Sequence, residues 1–135
     1  MYNLFISHSW KYGDAYEKLV NLLDNASYFS YKNYSVPKDD PLAISGANYQ
    51  KKLFDGIYNQ MRYASVVLIL AGVYASYSES IDMEIEIANR LGKPIIAVEP
   101  WASERTSIVV KNNADLIVAW STKSIVDAIR QLGRE

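Results

Sequence analysis

Cysteine is absent from the 135 residues, and histidine occurs once, at His8. Disulfides, thiolate metal centres, a cysteine nucleophile and multi-histidine metal clusters are therefore excluded, and no metal site is expected. Neither sign of charge dominates. Fourteen Lys plus Arg stand against fifteen Asp plus Glu, for a formal net charge of -1, so no general field draws in nucleic acid or anionic lipid. Long apolar runs are lacking too: the longest, Val66 to Ala75, reaches about half of the ~20 residues that a membrane-spanning helix needs. The N-terminus has no basic region ahead of an apolar stretch and no small-residue cleavage site, which predicts a cytoplasmic protein. GxGxxG and GxxxxGK[ST] are both missing, which disfavours the usual dinucleotide-binding fingerprint and P-loop NTPase chemistry. No repeat, low-complexity tract or linker breaks the chain.

Half of the residues are hydrophobic and 21% are charged, enough apolar side chains for one real core and a single domain over 1–135. Leu4-Phe5-Ile6 reads as a buried strand ending in the polar Ser7-His8-Ser9. Tyr12 to Leu23 has amphipathic helical spacing, and Tyr31 to Val36 contains a short strand. Pro37-Lys38-Asp39-Asp40-Pro41 opens a loop that continues to Gly46. Asn48 to Met61 is again helical in spacing, with Gly56 inside it costing about 1 kcal/mol of propensity.

Val66-Val67-Leu68-Ile69-Leu70 is continuously apolar and marks the centre of a sheet covered on both faces. The small polar run after it leads to Ser80, read as the N-cap of a helix ending at Leu91 before Gly92. Ile95 to Val98 and Asp115 to Trp120 supply two more strands around a variable connection, and Lys123 to Leu132 a last helix. This alternation predicts an α/β fold: a flavodoxin-like open parallel sheet of about five strands, with helices on both faces.

In such sheets ligands bind at the carboxyl ends of the strands, near a topological switch point. Ser7-His8-Ser9-Trp10 offers hydroxyls, an imidazole and an indole there, with a simple Ser9 helix cap as the plainer alternative. Pro37 to Asn48, containing Ser45, Gly46 and Asn48, reads as a lid over a nucleotide or as an ordinary surface loop. Tyr74, Tyr77 and Trp10 are placed to stack on a base. In Ser80-Ile81-Asp82-Met83-Glu84-Ile85-Glu86-Ile87, residues two apart lie about 200° apart on a helix, so Glu84 and Glu86 cannot share a pocket. Asp82 in a first turn meets the helix dipole, and Glu86 has Arg90 four residues on. Glu84 has neither explanation. It falls near the buried face, where a desolvated carboxylate serves as acid, base or electrostatic stabiliser, or else it is a partly exposed helix residue.

Tyr2 to Ser9, the segment Ala64 to Leu70, the Glu-bearing helix and Gly92-Lys93-Pro94-Ile95-Ile96-Ala97-Val98 together resemble TIR domains, above all the compact bacterial TIR-like proteins of Thoeris antiphage defence. The resemblance lies in the order of the motifs and covers nearly the whole chain. It implies cleavage of the nicotinamide-ribose bond of NAD, taken as a substrate and with no cofactor, by a glutamate at the position of Glu84. It also implies that Ser7, His8, Ser9 and Trp10 line the nucleotide pocket and that the Pro37 to Asn48 loop remodels on assembly. Activation as a homo-oligomer, and a diffusible nucleotide product that acts on a separate effector, belong to the same resemblance. Many TIR domains carry Trp four residues before the glutamate, where this chain has Ser80.

Two other readings compete: a non-enzymatic TIR-like adaptor in which Glu84 is structural, and an enzyme similar to nucleoside deoxyribosyltransferases. A response-regulator receiver is excluded, because Ser7-His8-Ser9 and Ala71-Gly72 supply neither its acidic pair nor its phosphoacceptor aspartate.

Overall fold

Parallel strands rich in Val, Ile and Leu must be covered on both faces, and each needs a crossover to reach its neighbour. The computed structural model, which describes residues 1–7, 15–35, 49–70, 74–99 and 108–134 apart from the side chains at 49, 50 and 74–80, follows that rule. In chain order its elements are β1 (Tyr2–Ile6), α1 (Ala15–Asp24), β2 (Tyr31–Asn33), α2 (Tyr49–Met61), β3 (Val66–Leu70), α3 (Tyr74–Leu91), β4 (Ile95–Glu99), α4 (Ile108–Asn113), β5 (Leu116–Ala119) and α5 (Thr122–Leu132). The strands form one sheet in the order β2-β1-β3-β4-β5, and every pairing is parallel.

Strand alternation divides the core in two. Leu4, Ile6, Leu68, Leu70, Ile96 and Val98 point to one face, where Leu19 and Leu23 of α1 and Ile125 and Ile129 of α5 cover them. Phe5, Val67, Ile69, Ile95 and Ala97 point to the other, against Ile57 and Met61 of α2, Ile81, Ile85 and Ala88 of α3, and Val110 of α4. β3 is buried along its whole length, as its unbroken apolar run predicts. β5, at the sheet edge, alternates half-buried and exposed residues.

Two expectations are corrected. The helix carrying Glu84 starts at Tyr74, not at Ser80. The small and polar residues 74–80 extend it by two turns, because apolar periodicity marks only the part of a helix that packs on the core. Ser80 is therefore not its cap, and Asp82 lies in the third turn, beyond the reach of the dipole argument. The variable connection also holds α4, a six-residue helix with one buried residue, Val110, too short to display a period. Gly92 does end α3. Its φ of 67°, with Gly92 N–H donating to the Asn89 carbonyl and Lys93 N–H to the Ala88 carbonyl, is a left-handed helix stop that closes the last turn.

Candidate functional site

The connections leaving β1 and β3 part company. α1 follows β1 onto one face of the sheet and α3 follows β3 onto the other, yet β1 and β3 are neighbours. Their carboxyl ends therefore flank the topological switch point, the place where open α/β sheets bind ligands.

Ser7 is the first residue beyond β1. Its N–H donates to the Leu68 carbonyl at 2.9 Å, which carries the β1–β3 ladder one residue further and fixes the Ser7 backbone against the central strand. Side chains alternate along a strand, so Ser7 shares the face of Phe5, the face that α3 covers. Its hydroxyl donates a 2.8 Å hydrogen bond to Oε1 of Glu84. Ser7 is 0% exposed and Glu84 2%; among the described residues they are the buried polar side chains.

Glu84 reaches this position through the helical period. Ile81, Glu84, Ile85 and Ala88 occupy the buried stripe of α3, while Asp82, Glu86, Asn89 and Arg90 face outward. Glu86 pairs with Arg90 at 2.8 Å on the open surface, an arrangement worth about 0.3–0.5 kcal/mol. The alternating acids of the segment thus separate into surface groups and a single buried carboxylate. Holding a carboxylate away from water costs several kcal/mol unless donors or charges meet it. A fold tolerates that cost where the charge has work to do, and a carboxylate fixed at the open end of a parallel sheet is suited to stabilising positive charge that develops on a bound ligand.

Of the other residues singled out in the sequence, Tyr74 and Tyr77 lie in the first turns of α3, with side chains outside the description. His8, Ser9, Trp10, Ser45, Gly46 and Asn48, with the whole Pro37 to Asn48 loop, lie outside the described residues. Among the described residues no three His, Cys, Asp or Glu side chains gather to hold a metal ion. The strand expected to end at Val98 takes in Glu99 as well. Glu99 is the last residue of β4, half-buried, and by alternation belongs to the face that carries Ser7; strand period was the signal that could have placed it there.

Three comparisons bear on this geometry. A family model described as the TIR-like domain of the Thoeris protein ThsB matches residues 5–105. A comparison with curated proteins gives no match. Among solved structures, the CMP N-glycosidase BcmB of Clostridium botulinum is similar over 95% of this chain and 98% of its own, at a TM-score of 0.54 and 15% sequence identity. At that identity the likeness is one of fold alone.

Proposed function

The chain belongs to the TIR-like domain family of the Thoeris protein ThsB, and from that premise we propose that it is an NAD-consuming enzyme that breaks the nicotinamide-ribose bond with Glu84 as its catalytic carboxylate. The observation that carries the reading is the burial of Glu84 at the switch point, in hydrogen-bond contact with Ser7.

Nicotinamide in NAD is a pyridinium cation. When the bond between its nitrogen and the ribose C1′ breaks, the electron pair goes to the nitrogen, nicotinamide leaves neutral, and positive charge appears on the ribose. The leaving group needs no proton. What lowers the barrier is a fixed negative charge near the sugar, and a preorganised carboxylate in a water-poor site supplies it. Capture of the sugar by water gives ADP-ribose, capture by the adenosine portion of the same molecule a cyclic product, and capture by another acceptor an adduct. The name of the structurally similar protein, a CMP N-glycosidase, concerns the same class of bond.

In this reading His8, Ser9, Trp10, Tyr74 and Tyr77 contribute to the nucleotide pocket, and Ser45, Gly46 and Asn48 to a loop that completes it in a homo-oligomer. The product is a diffusible nucleotide that acts on a separate effector in antiphage defence, and the enzyme works in the cytoplasm. No described helix is long and apolar enough to cross a membrane.

The test is nicotinamide release from NAD by concentrated or crowded protein, wild type against Glu84→Gln, with the product identified by mass. Loss of release in the variant supports the proposal. An inactive wild type, together with a Glu84→Gln variant that still assembles and signals, indicates an adaptor, and base exchange on nucleosides without NAD loss indicates a deoxyribosyltransferase-like enzyme.

A further inference from the structure

The geometry points to Ser7 as a positioning residue for Glu84, one that acts through the carboxylate by fixing its orientation and favouring its charged form. This inference deepens the functional reading above and takes Glu84 as the acting carboxylate from it.

The two residues are 77 positions apart in sequence, and the hydrogen bond between them is buried. Ser7 is anchored on its own side by the backbone bond to Leu68, so its hydroxyl approaches Glu84 from a rigid strand end. A long carboxylate side chain on a helix has rotamer freedom to lose, and a donor fixed in the sheet selects one orientation. The same donation favours ionisation, because a hydroxyl that donates to a carboxylate oxygen stabilises the anion more than the acid. Burial opposes ionisation, so the donor matters most where Glu84 lies. An anion is the form that the cationic sugar requires.

On the sheet face beneath α3 the neighbours are Phe5, Val67 and Ile69, and α2 contributes Ile57 and Met61. The titratable side chains described on the packed helices are exposed: Lys51, Lys52, Asp55 and Tyr58 on α2, Asp82, Glu86 and Arg90 on α3 itself, and Lys111 on α4. Glu99 of β4 is half-buried.

Two readouts test the inference. The first needs no turnover: the Glu84 side-chain carboxyl carbon is followed by carbon-13 NMR against pH in full-length protein, its signal assigned by its loss in Glu84→Gln. Ser7→Ala is expected to raise the Glu84 midpoint by about one pH unit, about 1.4 kcal/mol. Ser7→Thr, which keeps the donor, brings it back toward wild type. Ser7→Cys, close in volume but a weaker donor, falls between and serves if the alanine variant folds poorly.

The second readout is turnover of NAD. The alanine variant is expected to lose about tenfold in kcat, the equivalent of about 1.4 kcal/mol, with KM changed by less than twofold, and its acid limb moves up with the NMR midpoint. An unchanged midpoint in both Ser7→Ala and Ser7→Cys, or a wild-type kcat in either, overturns the inference. Full activity of Glu84→Gln overturns the functional reading instead, and the NMR midpoint still decides whether Ser7 controls the carboxylate.

Discussion

Replacing Glu84 by Gln removes a charge and leaves the shape of the side chain almost unchanged, so its effects on function and on folding separate. A buried charge is a burden on stability, and its removal at a functional position commonly stabilises the fold. Glu84→Gln is therefore expected to unfold at the same temperature as wild type or a higher one while losing activity; a variant that loses both would mark Glu84 as a structural residue. Tyr31 gives a second residue-scale test. Its hydroxyl donates to Oδ1 of Asp24 at 2.7 Å, and partial burial, then the bond to Asp24, then the nearby Asp24 charge hold its ionisation well above the ordinary value of 10.0. A midpoint raised in the folded state contributes stability that is whole below pH 10 and fades as pH climbs toward the folded-state value. Denaturant unfolding at pH 8 and pH 11 should show a steep alkaline loss in wild type. Tyr31→Phe should have a smaller loss, whereas Tyr28→Phe, at a fully exposed site, should behave as wild type.

Elements differ in how well their residues announce them. β3 was legible because five consecutive apolar residues admit a doubly covered strand, and α5 was expected over Lys123 to Leu132, where the structure adds a Ser121 cap that accepts from the Ser124 N–H. The start of α3 was not legible: Tyr74 to Ser80 lack the apolar repeat that marks a core-facing helix. α4 was hidden by its length. Glu84 itself was legible, since the helical period sets it among Ile81, Ile85 and Ala88, but its bond to Ser7 depends on tertiary packing that no local spacing encodes. The helix stop at Gly92 offers an element-scale test. A Cβ there would meet no atom within 4 Å, so Gly92→Ala probes backbone strain alone. The left-handed φ should cost about 1–2 kcal/mol, read by urea unfolding; a neutral result would mean that the end of α3 relaxes to another conformation.

For the whole molecule, topology decides where chemistry can sit. The order β2-β1-β3-β4-β5 sends α1 and α3 to opposite faces from adjacent strands, and the switch point so made carries the Ser7–Glu84 pair. Two buried layers on a rigid parallel sheet hold that pair in place. Binding should report on the whole domain as well. A ligand held at a hundredfold its dissociation constant stabilises the folded state by about 2.7 kcal/mol, so NAD should raise the melting temperature of Glu84→Gln, which binds without consuming it.

The most direct test of the account is nicotinamide release from NAD by assembled wild-type protein beside Glu84→Gln, both verified as folded. The account expects steady release by wild type, with an ADP-ribose-derived product by mass, and a loss of at least a hundredfold in the variant, about 2.7 kcal/mol of barrier. Equal release by the two proteins would contradict it.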